Sequence, residues 1–185
     1  MAVRVKVLFL CIGNSCRSQI AEAIAKQLAS DVIEPSSAGL LPFGKIMEPT
    51  TQVLKERGIS MEGQYSKPLR PSELAAADLV INMTGHRGAR MLQDPKPPVE
   101  DWDIADPFGF NLTVYRKIRD EIEARVRDLA LRLRARRESQ KTAQDAGPHS
   151  AARIRRDDDP RRRQTARFHL GKPATTRVLV RALPR

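Results

Sequence analysis

Cysteine, histidine and aromatic residues are all scarce in this 185-residue chain, and their scarcity limits the chemistry it can support. Only two cysteines occur, which excludes a disulfide framework and indicates a reducing compartment. The three histidines, His86, His149 and His169, do not combine with those cysteines at zinc-ligand spacing. The acidic segments also lack the pattern of a calcium loop. The sequence therefore implies no metal and no cofactor.

Long apolar runs are missing as well. No stretch of about 20 apolar residues, the length that a membrane-spanning helix needs, occurs in the chain. The first residues have a strand-like pattern instead of the basic and apolar regions of a signal peptide. These absences predict a cytoplasmic protein with no membrane span.

Acidic residues are scarce in one part of the chain only. Residues 135–185 hold 14 Lys and Arg against 5 Asp and Glu, a net charge of +9, whereas residues 1–134 hold 19 against 17, a net charge of +2. Blocks of like charge and few apolar residues predict a folded domain over residues 1–134 and a disordered tail over residues 135–185. Such a tail either has no role of its own or contacts nucleic acid, an anionic membrane surface or an acidic partner.

Strand and helix patterns alternate within residues 1–134. The predicted strands cover residues 3–10, 32–40, 78–83 and 99–104. The predicted helices begin near Ser18, cover residues 48–57 and 73–77 with Gly58 and Ser72 at their ends, and include one long amphipathic helix containing Leu112 to Leu133. This alternation predicts a three-layer α/β fold with a central four-stranded parallel sheet and helices on both faces. Ligands of such folds bind at the carboxyl ends of the strands.

The segment between the first strand and the first helix reads CIGNSCRS, in which five residues separate Cys11 from Arg17. Gly13 and Asn14 tolerate positive φ, so the chain can turn there and direct successive amide N–H groups inward. A helix N-terminus, capped by Ser18, and the guanidinium of Arg17 add further donors for an oxyanion. This predicts a phosphate-binding loop that contains Cys11 and is made of Ile12, Gly13, Asn14, Ser15, Cys16, Arg17 and Ser18.

Cys11 stands at the start of that loop, in a position for nucleophilic attack. A free cysteine is only a few per cent thiolate at neutral pH, and the positive field of the loop favours the thiolate. The thiolate would attack a bound phosphorus or arsenic centre. A lone cysteine at a strand end is more often a small buried apolar residue, but the surrounding loop residues favour the nucleophile here.

An acid must protonate the leaving oxygen when a phosphoester is cleaved. Glu100, Asp101, Asp103 and Asp106 are the candidates in the segment VEDWDIADPFGF. Asp106 stands out because the following proline stiffens the backbone and two nearby phenylalanines can exclude water, which favours the protonated acid. We therefore expect Asp106 to face Cys11.

The segment VLFLCIGNSCRSQIAEA resembles the phosphate loop of the low-molecular-weight protein tyrosine phosphatases, and the resemblance extends to Ser37–Gly39 and to the pair Asp106 and Pro107. It covers roughly residues 3 to 134. It implies a phosphocysteine intermediate on Cys11, with Arg17 on the equatorial oxygens, Ser18 supporting the thiolate and Asn14 holding the loop. Asp106 would protonate the leaving oxygen and then activate water. The substrate would be a phosphorylated protein or a small phosphoester.

The same loop is equally similar to that of the thioredoxin-coupled arsenate reductases, which share this fold. Those enzymes need further cysteines to pass on a disulfide, and the corresponding segment LVINMTGHRGARMLQDP has none. A self-contained relay is therefore excluded, whereas an arsenate reductase that uses an external thiol stays open. A non-catalytic module that binds phosphate or phosphoprotein is a further alternative, disfavoured by the intact Cys11, Arg17 and Asp106.

Substrate choice and redox behaviour depend on a few further residues. In the family, a bulky aliphatic residue at the position of Ser15 is typical of tyrosine phosphatases and threonine of protein arginine phosphatases, and serine matches neither. A phenyl ring could lie between Phe43 on one side and Phe108 and Phe110 on the other. Cys16 either packs in the core or pairs reversibly with Cys11 under oxidation.

Overall fold

The computed structural model describes residues 3–86 and 97–145, and within them it contains four strands and four helices. Helices follow the first, second and last of these strands, as the alternating sequence pattern predicts. The elements are, in chain order, β1 (Val5–Cys11), α1 (Arg17–Leu28), β2 (Ile33–Gly39), α2 (Glu48–Lys55), α3 (Pro71–Ala76), β3 (Leu79–Asn82), β4 (Val99–Asp101) and α4 (Leu112–Asp145).

The four strands form one parallel sheet in the order β2-β1-β3-β4. β1 is central, and its last residue, Cys11, pairs in register with Gly39 at the end of β2. The predicted four-stranded parallel sheet is therefore confirmed. Because the strands are parallel, their carboxyl ends meet at one edge, and the segment after Cys11 emerges there.

The side chains of β1 alternate between two apolar layers. Val7, Phe9 and Cys11 belong to a large core that also contains apolar residues of α1 and α4. Leu8 and Leu10 point to the other face, into a smaller core to which Leu74 of α3 adds. Helices thus cover both faces of the sheet, which confirms the three-layer architecture.

An ion-pair network joins α2 to α4. Arg116 donates to Glu56 with its Nη2 2.7 Å from Oε1, and the buried Arg119 donates to the carbonyl of Val53 at 2.9 Å. The hydrogen bond from Arg116 holds the pKa of Glu56 below its usual value. The network fixes the start of α4 against α2, which brings Tyr115 to the edge of the loop after β1.

Several predicted boundaries are displaced by a few residues. α2 ends at Lys55, and Gly58 follows with φ +67° in the turn beyond it. α3 begins at Pro71 after Arg70, whose N–H donates to the carboxylate of Glu73, so the predicted cap at Ser72 is wrong. The last two strands are shorter than predicted, spanning Leu79–Asn82 and Val99–Asp101. The strand interiors and the helices' buried faces lie where the apolar pattern placed them.

α4 continues past residue 134 and reaches Asp145. Its later part is held to the domain by Arg134, which donates to both carboxylate oxygens of Asp31, and by Arg137, which donates to the carbonyl of Asp31 at 2.9 Å. The predicted tail beyond Asp145 lies outside the described residues. Within those residues, no helix is both long enough and apolar enough to cross a membrane.

Candidate active site

The loop between β1 and α1 is held by hydrogen bonds to its carbonyl groups. Leu40 and Leu41 donate to the carbonyls of Cys11 and Ile12, Phe43 donates to Gly13, and Met47 donates to Ser15. Thr50 Oγ1 also donates to the carbonyl of Ser15. Along the described residues, no backbone N–H between Ile12 and Arg17 donates to a protein acceptor. The carbonyls therefore point outward and the amides are free to bind an oxyanion.

Asn14 fixes the shape of this loop. It is the single non-glycine residue with positive φ, +45°, in the described ranges, which confirms the predicted left-handed turn at Asn14 but not at Gly13. Its Nδ2 donates to Ser18 Oγ and Ser37 Oγ, each at 2.9 Å. Its Oδ1 accepts from Gln19 Nε2 at 3.0 Å and from the Lys67 N–H at 2.8 Å. The side chain thereby links the loop to α1, to β2 and to the segment around Lys67.

Ser18 contacts Cys11 instead of capping the helix. α1 begins at Arg17 with Cys16 before it and no side-chain cap, so the predicted cap at Ser18 is wrong. Ser18 Oγ lies 3.0 Å from Cys11 Sγ, which is the contact that the resemblance implies. A hydroxyl at this distance can donate to a thiolate and stabilise it. Cys11 is itself buried and lies at the floor of a cavity.

Cys16 differs from Cys11 in its surroundings. Its Sγ lies 3.3 Å from the Tyr115 hydroxyl, at the contact between the loop and α4. Burial raises the pKa of the Cys16 thiol, and burial together with the Cys16 contact raises the pKa of Tyr115. The raised pKa disfavours the Cys16 thiolate, which makes this thiol the poorer candidate for a nucleophile. Both cysteines are free, and their pairing under oxidation stays a prediction.

Arg17 and Asp106 form an ion pair beside the loop. Arg17 Nη2 donates to Asp106 Oδ2 at 2.6 Å, and Arg17 Nη1 donates to the carbonyl of Ile104 at 3.1 Å. Arg17 Nε is buried and has no hydrogen-bond partner in the described residues. The Asp106 side chain is 49% exposed, and Phe108 and Phe110 are exposed too. The predicted exclusion of water from Asp106 is therefore absent from this conformation.

One cavity of about 260 Å³ brings these groups together at the carboxyl end of β1. Phe43 and Phe108 border it, with ring centroids 5.4 Å apart in an edge-to-face arrangement. Phe110, the third phenylalanine of the predicted substrate wall, does not border the cavity. The cavity is lined by Cys11, Ile12, Gly13, Ser15, Cys16, Arg17, Leu41, Phe43, Asp106 and Phe108.

Three residues around the site escaped sequence reasoning. Leu41 borders the cavity although nothing in its local pattern indicates a site. Gln19 is fully buried and donates to the Asn14 carbonyl, the Asn14 side chain and the Tyr65 carbonyl. Tyr115 lies in the repeating apolar positions of α4, and its position in the sequence therefore predicted only packing in the core. For Gln19, the one indication in the sequence was an amide side chain directly after the loop.

No group of three or more His, Cys, Asp and Glu side chains in the described part of the chain could hold a metal ion. The site is instead built from a thiol, a guanidinium, a carboxylate and free amides. These are groups for binding and attacking an oxyanion.

Comparisons with known proteins identify the family. Residues 6–141 match the family described as low molecular weight phosphotyrosine protein phosphatase. The chain is similar to the glutaredoxin arsenate reductase of Synechocystis sp., at 34% identity over 130 residues that cover 69% of this chain and 98% of that protein. It is also similar to the protein-arginine-phosphatase of Bacillus subtilis, at 32% identity over 69% of this chain and 96% of that protein.

A solved structure agrees with these sequence matches. The YwlE arginine phosphatase from Geobacillus stearothermophilus superposes with a TM-score of 0.65 at 34% identity, covering 73% of this chain and 96% of that chain. The sequence match, the parallel sheet and the loop after β1 lead to one conclusion. The chain belongs to the low molecular weight phosphotyrosine protein phosphatase family.

Proposed function

We propose that this protein is a cysteine-dependent phosphatase that hydrolyses phosphotyrosine, or alternatively phosphoarginine, in a phosphorylated protein. Cys11 is the nucleophile, Arg17 the phosphate ligand and Asp106 the general acid and base. The observation that carries the proposal is that all three border one cavity, above a loop whose amides have no protein acceptor in the described residues.

Phosphate binding is supported by the donors that this site leaves unused. The amides of Ile12 to Arg17 have no protein acceptor in the described residues and lie between Cys11 and the start of α1, where the helix dipole favours an anion. Arg17 adds a buried Nε without a partner in the described residues. A buried donor that lacks an acceptor costs free energy, so a phosphate oxygen that accepts from it stabilises the site.

In the first step, Cys11 Sγ attacks phosphorus, so a sulfur–phosphorus bond forms as the bond to the leaving atom breaks. Asp106 donates its proton to that leaving atom. In the second step, Asp106 takes a proton from water while the water oxygen attacks phosphorus. Inorganic phosphate and the Cys11 thiolate are released. For both steps, the substrate phosphate must replace the Asp106 carboxylate on the Arg17 guanidinium.

Arsenate reduction with an external thiol is the second candidate, favoured by the similarity to arsenate reductases. Cys11 would bond to arsenic with loss of water. An external thiol would then attack the Cys11 sulfur, leaving the electron pair on arsenic to give arsenite and a mixed disulfide, which a second thiol reduces. Asp106 has no required part in that attack on sulfur, and its place in the cavity favours the phosphatase.

Turnover of the full chain on a phosphotyrosine peptide, a phosphoarginine peptide, and arsenate with reduced glutathione or glutaredoxin separates the candidates. We expect phosphate release from the phosphotyrosine peptide, and a loss of more than about a thousandfold in Cys11→Ser. Arg17→Lys should raise KM and lower kcat, because a lysine cannot make the two-pronged contact. Arsenite formation without phosphate release from either peptide would contradict the proposal.

A further inference from the structure

Large apolar side chains are exposed around the mouth of the cavity. Of the seven that are exposed in the described ranges, five lie on segments that surround the loop after β1; these are Leu41, Phe43, Tyr65, Phe108 and Phe110. The Tyr65 segment is tied to the loop by Ser66 Oγ, which donates to the Gly13 carbonyl at 3.2 Å. Apolar surface concentrated at one place on a protein marks a site of contact with another macromolecule. An oxyanion alone would leave this surface uncovered.

Lys45 adds an unneutralised positive charge to the same surface. Its Nζ lies 5.9 Å from the centroid of the Phe43 ring, a ring that borders the cavity. No carboxylate lies within ion-pair distance of Lys45 along the described residues. The nearby cations differ in this respect, because Arg17 pairs with Asp106 and Lys67 lies 4.0 Å from the buried Glu22. Among the described cations near the mouth, Lys45 is therefore the one that is free to meet an external carboxylate.

We propose that Lys45 and the exposed rings around it form a docking surface for the polypeptide segment that flanks a phosphorylated residue, and that Lys45 selects acidic side chains in that segment. The inference rests on the proposed phosphatase function. The phosphorylated residue enters the cavity that Phe43 and Phe108 border and reaches Cys11, and its neighbours in sequence lie over Leu41 and Phe43. An Asp or Glu next to the phosphorylated residue then meets the Lys45 ammonium at the rim of the surface.

Peptide binding to a variant that cannot hydrolyse the phosphate tests this surface separately from the catalytic steps. In the full chain carrying Cys11→Ser, we would measure fluorescence anisotropy with peptide pairs that differ only in Glu or Gln beside the phosphorylated residue. One pair carries phosphotyrosine and the other phosphoarginine. We expect the Glu peptide of at least one pair to bind about fivefold more tightly than its Gln partner, which is the range of an exposed ion pair. Sodium chloride should reduce that ratio.

Lys45→Glu in the same background should abolish the preference, weakening the Glu peptide by about fivefold or more and leaving the Gln peptide nearly unchanged. Lys141→Glu is the matched control. Lys141 lies with Val5, Val32 and Leu79 at the opposite, amino ends of the strands, and the same charge change there should leave the preference intact.

Three results would overturn the inference. The first is an equal effect of Lys45→Glu on Glu and Gln peptides, and the second an equal effect of the two lysine substitutions. The third is binding of every peptide no tighter than inorganic phosphate in competition. Failure of the proposed function is distinguished separately, because it would appear as absent phosphate release by the parent chain with Lys45-dependent peptide binding retained.

Discussion

The Asp106 carboxylate forms an ion pair with the Arg17 guanidinium in this structure, with 2.6 Å between Arg17 Nη2 and Asp106 Oδ2. A carboxylate held by an arginine cannot at the same time protonate a leaving oxygen. In the proposed mechanism, a substrate phosphate that replaces Asp106 on the guanidinium would free the carboxylate to act as the acid, so one side chain would couple binding to catalysis. The Ile104 carbonyl accepts from Arg17 Nη1 at 3.1 Å and would keep the arginine oriented during that exchange.

This coupling gives opposite effects on binding and turnover when the Asp106 charge is removed. Asp106→Asn should lower kcat for phenyl phosphate by about a hundred- to a thousandfold, because the poor leaving group needs the acid. The loss should be smaller for p-nitrophenyl phosphate, whose leaving group is stable without a proton. Inorganic phosphate should inhibit the variant at several-fold lower concentration, because it no longer competes with a carboxylate for Arg17.

Asp103→Asn is the matched control, since Asp103 is an exposed carboxylate of the same segment that does not border the cavity. It should change neither the inhibition constant of phosphate nor kcat. Weaker inhibition of Asp106→Asn by phosphate would contradict the competition between carboxylate and phosphate.

At the scale of elements, the end of β2 braces the loop that follows β1. Gly39 pairs with Cys11 across the sheet, and a Cβ at Gly39 would lie 2.8 Å from the Ile12 carbonyl oxygen and 2.9 Å from the Asn14 N. These are backbone atoms of the loop, so they cannot move aside without displacing the amides. The absence of a side chain at Gly39 thus permits the close contact of β2 with the loop.

Gly39→Ala should therefore displace the loop. We expect the free energy of unfolding to fall by about 1–3 kcal/mol, the usual cost of overpacking, and KM for p-nitrophenyl phosphate to rise, because the amides no longer converge. Urea unfolding and steady-state kinetics measure the two effects.

Gly58→Ala is the control that distinguishes a displaced loop from a general loss of stability. Gly58 has φ +67° and open space around its Cα, beyond the end of α2. Alanine there should cost about 1 kcal/mol of stability through backbone strain and leave KM unchanged. An unchanged KM in Gly39→Ala would show that the loop tolerates the methyl group.

Secondary structure could be predicted from the sequence where neighbouring residues determine it. The apolar run of β1, the period of α4 and the turn at Asn14 are all properties of consecutive residues. Contacts between distant segments could not be predicted this way, since 99 residues separate Cys16 from Tyr115 and 46 separate Gln19 from Tyr65. The mistaken cap at Ser18 has the same origin, because a hydroxyl at a helix start is typical of a cap unless a partner such as Cys11 competes for it.

Asp106 marks the limit of local reasoning within the site. Its segment contains several carboxylates, and the choice of Asp106 among them depended largely on the resemblance of Asp106 and Pro107 to a family motif. The ion pair with Arg17, 89 residues away in sequence, depends on how β4 and the following loop pack beside α1. Its consequence for phosphate competition could be drawn only from the folded arrangement.

At the scale of the whole molecule, most of the net positive charge lies outside the residues that the structure describes. Residues 146–185 contain 11 Lys and Arg and 3 Asp and Glu, a net charge of +8, which leaves +3 of the total +11 for residues 1–145. The residues that line the cavity all belong to residues 1–145, the nearly neutral part of the chain. We therefore expect the chemistry proposed for the site to proceed without the strongly basic segment.

Two truncations test where the catalytic domain ends. A chain of residues 1–145 should hydrolyse p-nitrophenyl phosphate within about twofold of the full chain, because it keeps α4 and every cavity residue. A chain of residues 1–134 should unfold at a lower urea concentration, with a free energy of unfolding lower by about 1 kcal/mol. It loses the hydrogen bond from Arg137 to the Asp31 carbonyl and the last turns of α4. It should still turn over, since its cavity is intact. Equal stability of the two truncated chains would place the domain boundary at residue 134, as the sequence predicts, and loss of turnover in residues 1–145 would give the basic segment a part in catalysis.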